Sequence, residues 1–166
     1  MQINGIVFKF GDSVNTDLII SGRYKFSITD MNELSKHLFE DICPDFFSKV
    51  KKGDSLIVAG GNFGCGSSRE QAPWVIKTAG INAVVAKSFA RIFYRNAINI
   101  GLTLIEADTD KINDNDYLNI DLETGKILVK DKNISIDIKP LPLFMRKILA
   151  EGGAVEYLKK HGSFDL

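Results

Sequence analysis

The chain has 166 residues, enough for one ordinary domain, and 45% of them are apolar, as expected of a globular protein with a genuine core. Its 21 lysines and arginines balance 21 acids, which argues against a dedicated nucleic-acid binder, and no apolar run approaches the roughly 20 residues that span a bilayer. The start, Met1-Gln2-Ile3-Asn4-Gly5, lacks the charged and apolar regions of a secretory signal, so the expectation is one cytoplasmic domain over residues 1–166.

In chain order, residues 3–10 read as a strand that meets a turn at Gly11-Asp12-Ser13. A second short apolar run, Leu18-Ile19-Ile20, reads as a second strand. Asp30 with Glu33 is a capping-box signal, and Met31, Leu34, Leu38 and Ile42 follow at helical spacing until Pro44. Residues 55–59 read as a buried strand entering the loop 60–66, and a helix is expected from Ser67 or Ser68 to about Ala79. A strand at 83–86, a helix at 89–98 and a strand at 102–106 continue the alternation, which implies parallel crossovers. Residues 117–122, 126–129 and 134–138 alternate apolar with polar around the turn Thr124-Gly125, the pattern of an antiparallel meander. Two helices follow Pro140, separated by Gly152-Gly153. The expected class is therefore α/β: a mainly parallel core sheet, an added antiparallel β layer and flanking helices.

Cysteines and histidines number two each: Cys43, Cys65, His37 and His161. An iron–sulfur cluster usually takes three or four thiolates, and a zinc site would need all four residues without metal-type spacing. No metal bound by this chain is expected, and no disulfide in a reducing compartment.

The informative stretch is Gly60-Gly61-Asn62-Phe63-Gly64-Cys65-Gly66-Ser67-Ser68-Arg69-Glu70. Four glycines in its first seven residues are costly to order, which makes sense where backbone meets a ligand closely. Two hydroxyls and a guanidinium at the start of an expected helix suit a carboxylate or phosphate. The known phosphate motifs fail in detail: Ser67 stands where a P-loop has lysine, and Arg69 where a dinucleotide fingerprint has its third glycine. A G-x-S-x-G nucleophile elbow is absent. The plainer alternative is a capping box of Ser67 with Glu70 or Ser68 with Gln71, with Cys65 a small packed residue.

The loop from Asn62 to Glu70 resembles the serine loop of the aconitase superfamily's swivelling domain. Asp12-Ser13-Val14-Asn15-Thr16-Asp17-Leu18-Ile19 is similar to that family's N-terminal D-x-x-x-T-D motif. Lys87-Ser88-Phe89-Ala90-Arg91-Ile92-Phe93, followed by Asn96 and Gly101, matches the segment after the serine loop. Order and spacing fit nearly the whole chain, and the resemblance is greatest to free-standing small subunits of 3-isopropylmalate dehydratases, also called isopropylmalate isomerases. It implies a β/β/α swivelling domain that closes over a large subunit carrying a [4Fe–4S] cluster. It also implies reversible dehydration of a 2-hydroxy dicarboxylic acid in leucine biosynthesis, in a hetero-oligomer that binds neither nucleic acid nor membrane.

Carried onto this sequence, the family's base falls on Ser67. Arg69 supports it and holds substrate carboxylate, and Ser68 and Gly66 contact substrate. Thr16, Asp17 and Arg23 are structural or contact residues, and Arg91 is read as structural rather than catalytic. Scaffold and contact readings of Lys87 and Ser88 stay open. The segment expected to select the substrate's variable group reads Arg23-Tyr24-Lys25-Phe26-Ser27. Here Lys25 replaces a usual leucine and Phe26 stands where an arginine would recognise an extra carboxylate. An aromatic favours an apolar substituent, isopropyl or methyl. Citramalate or 2,3-dimethylmalate dehydratase is the alternative within the class; a stand-alone carboxylate- or phosphate-binding module is the alternative outside it.

Overall fold

The computed structural model describes residues 1–24 and 27–164. Four strands lie parallel: β1 (Gln2–Lys9), β2 (Ser55–Ala59), β3 (Ala83–Ala86) and β4 (Thr103–Glu106). Val7 pairs with Leu56, Leu56 with Ala83 and Ala83 with Thr103. Between β1 and β2 lie three short helices, α1 (Thr16–Ile19), α2 (Met31–Ser35) and α3 (Phe46–Lys49). Helix α4 (Gln71–Thr78) crosses from β2 to β3, and α5 (Arg91–Ile100) from β3 to β4. Every residue of β2 and β3 is buried, because both faces of the parallel sheet are covered.

The meander is β5 (Tyr117–Asp121), β6 (Lys126–Val129) and β7 (Ile134–Asp137), followed by α6 (Leu143–Ala150) and α7 (Ala154–His161). Strand β5 pairs antiparallel with the free edge of β1, Gly5 opposite Leu118, so the order is β4-β3-β2-β1-β5-β6-β7. The added antiparallel layer is thus continuous with the parallel strands through β1. It becomes a layer by curling. Val7, Leu56, Val58 and Val85 share one apolar cluster with Leu118, Ile120, Ile127 and Val129. On the opposite face Ile57, Ala59, Val84 and Ala86 pack against Val75, Ile76, Phe93 and Ala97 of α4 and α5. Each valine, leucine, isoleucine or phenylalanine among them contributes about 1.5–3 kcal/mol on withdrawal from water before entropy is counted, and the two clusters fix a β/β/α arrangement.

Two local expectations fail for identifiable reasons. The run Leu18-Ile19-Ile20 is helical at its start, not a strand, because the Asn15 side chain accepts from the Leu18 N–H at 2.9 Å and caps α1. The helix expected as far as Ile42 ends at Ser35, although Asp30 caps it as expected by accepting from the Glu33 N–H at 2.9 Å. Phe39 takes φ 56° and its N–H donates to Ile19 O at 3.0 Å. Its ring is fully buried against Phe10 and Phe46, so tertiary packing overrides the local pattern. Among the described residues no helix is long and apolar enough to cross a membrane.

Candidate active site

Three segments leave the C-terminal ends of β1, β2 and β3 and meet there, where open α/β sheets place their ligands. Hydrogen bonds knit them together. The Gly61 N–H donates to the Asp12 carboxylate at 2.6 Å, and the Ser13 N–H to Gly61 O at 2.8 Å. Asn62 N–H donates to Ser88 Oγ at 2.8 Å, and Ala90 N–H to Phe63 O at 2.9 Å. Thr16, only 2% exposed, donates its N–H to Cys65 O at 2.9 Å and its hydroxyl to Ser67 O at 2.7 Å. Asp12, Thr16 and Ser88 therefore shape the loop. Glycine is needed at 64 and 66, where φ is 78° and 87°, and a Cβ on Gly64 would lie 2.2 Å from the Phe93 ring.

A cavity of about 310 Å³ opens where this loop faces the first turn of α5. Gly66, Ser67, Ser68 and Arg69 form one wall, with Thr16 beside them; Arg91, Ile92, Phe93 and Asn96 form the other. Both serines are exposed. The helix expected at Ser67 or Ser68 begins only at Gln71, with Glu70 as an N-cap that makes no side-chain bond. Neither serine caps α4, so the capping-box alternative does not hold. The helix that presents its N-terminus to the cavity is α5, whose N-cap, Ala90, has no side chain to satisfy the first N–H groups. Those donors and the positive end of the α5 dipole favour an anion.

Arg69 is largely buried, with its side chain 16% exposed, and its Nη2 is ion-paired with Asp17. Its Nε is buried and has no partner among the described residues. Arg91, expected to be structural, stands exposed on the cavity wall. Lys87 instead pairs with Asp110 at 2.6 Å, a contact that raises its amine pKa and lowers the carboxyl's.

Not every expected site residue reaches the cavity. Arg23 pairs with Asp41, and Ser27 is exposed beside the Tyr24 carbonyl. Tyr24 donates its hydroxyl to Glu40 at 2.6 Å, and its ring stacks on His37 with centroids 4.0 Å apart. That hydroxyl, then His37, holds the Glu40 carboxyl below its ordinary range, while the Glu40 bond and burial raise the Tyr24 phenol. Lys25 and Phe26, expected to choose the substituent, lie outside the described residues. Ile92 and Asn96, not named as site residues, line the cavity; the signal that could have found them was their place in the matched segment after Lys87-Ser88-Phe89, one helical turn apart. Among the described residues no three His, Cys, Asp or Glu side chains gather as a metal set. Cys43 packs beside the helix-side core and Cys65 lies in the serine loop, both as free thiols, an arrangement that does not fit a cluster held by this chain.

A family model described as the aconitase C-terminal domain matches residues 12–110, the part that builds this cavity. The 3-isopropylmalate dehydratase small subunit 2 of Archaeoglobus fulgidus is 54% identical over 166 residues, all of both chains. Small subunit 1 of the same enzyme from Thermotoga maritima is 54% identical over 164 residues, 98% of each chain. A crystal structure of 3-isopropylmalate dehydratase from Methanocaldococcus jannaschii superimposes with a TM-score of 0.91 at 54% identity, covering 98% of this chain and 96% of that one. With the family model, the full-length identities and the superposition in agreement, the chain belongs to the aconitase C-terminal domain family, among the small subunits of 3-isopropylmalate dehydratase.

Proposed function

We propose that this chain works in leucine biosynthesis as the small subunit of a cytoplasmic hydro-lyase that interconverts 2- and 3-isopropylmalate through dehydration and rehydration. In this reading a large subunit covers the cavity and carries a [4Fe–4S] cluster, as membership of the aconitase family and the small-subunit names of the relatives suggest. The cluster supplies Lewis-acid activation of the substrate hydroxyl. Neither half is active alone.

The observation that carries the reading is the meeting of Ser67, Ser68 and Arg69 with the uncapped start of α5 across one cavity. Ser67 takes the proton from the carbon next to the one bearing the hydroxyl and returns a proton on rehydration. A serine is a poor base in water. Here the α5 N–H groups, the helix dipole and the arginines favour its anionic form once closure excludes water. Thr16 fixes the backbone carrying it, through the bond to Ser67 O. Arg69 and Ser68 hold substrate carboxylate through charge-assisted hydrogen bonds.

The test is anaerobic co-purification with the large subunit, followed by assays of hydration of isopropylmaleate, citraconate and cis-aconitate. Isopropylmaleate is expected to turn over fastest. Ser67→Ala should lose about 10³-fold in kcat, within the range for a general base. Faster turnover of citraconate would transfer the assignment to methylmalate metabolism. Absence of hydration by the wild-type complex would remove the enzymatic reading.

A further inference from the structure

Arg69 has a neighbour whose composition only the guanidinium explains. A Cβ built on Gly22 would lie 3.0 Å from Arg69 Nη2 and 3.2 Å from Nη1. Gly22 is not among the positive-φ residues, so its backbone does not demand glycine. What the missing side chain provides is room for the arginine head. The same guanidinium is held by Asp17 through Nη2. Gly22 therefore forms one wall of the slot in which Arg69 sits.

That wall is itself anchored. Gly22 opens a single helical turn, Gly22–Tyr24, in which the Tyr24 N–H donates to Ser21 O at 3.2 Å. The turn ends on the one tyrosine tied to Glu40, at 2.6 Å, and stacked on His37. His37 Nδ1 lies 2.8 Å from the same Glu40 oxygen, so one carboxylate holds both rings. Glu40 follows Phe39, whose ring is fully buried and whose N–H is bound to Ile19 O. A continuous path thus runs from the core through Glu40 and Tyr24 to Gly22 and the Arg69 guanidinium.

We propose that Gly22 and Glu40 are positioning residues for Arg69: Gly22 by direct contact, Glu40 by clamping Tyr24 and so the turn that carries Gly22. The inference rests on the functional reading above, in which Arg69 binds substrate carboxylate. Arginine–carboxylate pairing depends on fixed geometry, and small misplacements in a site cost large factors in rate or affinity.

The experiment uses the complex of both subunits and compares wild type with Gly22→Ala, Glu40→Ala and Glu40→Gln. Gly22→Ala must displace the end of a flexible side chain by a few tenths of an ångström, not backbone, so the fold survives. Its KM for isopropylmaleate should rise about tenfold with kcat within about threefold. Glu40→Ala should do the same, and Glu40→Gln, which keeps an acceptor for the tyrosine, should recover most of the loss. Since Arg69 serves a carboxylate common to all substrates, the rise should be equal for isopropylmaleate and citraconate. Melting temperatures should stay within about 3 °C, which separates positioning from unfolding. Unchanged KM in Gly22→Ala within an active complex overturns the proposal, as does a rise confined to one substrate. An inactive wild-type complex instead defeats the functional reading on which it rests.

Discussion

At the scale of single residues, the hydroxyl pair in the serine loop is held from beneath by a threonine. Thr16 is buried, and its hydroxyl reaches Ser67 O at 2.7 Å while its N–H holds Cys65 O. A valine there has nearly the same shape and keeps the backbone bond, but leaves the Ser67 carbonyl without its donor. Thr16→Val should lower stability by about 1 kcal/mol, the net worth of one hydrogen bond. It should lower kcat by about 10–100-fold, because the base is then held less firmly. Denaturant titration beside steady-state assays of the complex would measure both. The glycines drew attention to the loop, since their cost needs a reason, and Ser67 within it was singled out by the resemblance to the aconitase swivelling domain. It left Thr16 between scaffold and contact, because a side chain that reaches 51 residues along the chain has no local signature.

The elements show where pattern reading succeeds and where it cannot. Strands 55–59 and 83–86 were legible to the residue because an apolar run between turn signals leaves little choice. The source of helix-terminal charge was not legible. A serine-rich segment before α4 looked like its N-terminus, yet α4 starts at Gln71 and α5 turns its uncapped end to the cavity. Ala90, at that cap, is silent in sequence; the information lies in its lack of a capping side chain. The location yields an opposed pair of effects. Ile92 lies in the first turn of α5, is 46% exposed and lines the cavity. Ile92→Asp places a carboxylate where the helix dipole welcomes one, which should stabilise the subunit by about 0.3–1 kcal/mol. The same charge repels a dicarboxylate substrate, so KM should rise about tenfold or more, less at high salt. A thermal melt and a salt series of KM would separate the two.

For the molecule as a whole, β1 joins two halves with different duties. On one side of it the parallel strands send their loops to the cavity; on the other the meander only covers the sheet. No residue of β5, β6 or β7 lines the cavity around Ser67. The alternation of residues 117–122 made the meander legible. Its attachment through β1 was not, because Ile3, Gly5 and Val7 would look the same on an edge strand as on a central one. This division predicts that stability and turnover can be damaged separately. Leu118 is fully buried between the curled halves, opposite Gly5 of β1. Leu118→Ala should cost about 2–5 kcal/mol, through lost burial and the cavity left behind. That is a large share of the roughly 5–15 kcal/mol that holds a domain together, so the yield of folded subunit should fall. The molecules that fold and join the large subunit should keep wild-type KM and kcat, because the loops at the far end of β1 and β2 are untouched. Ser67→Ala should show the reverse: a normal melting curve and almost no turnover. If Leu118→Ala instead lowered kcat per folded complex as much as it lowers stability, the two halves would not be independent, and the meander would have to be counted as part of the catalytic apparatus.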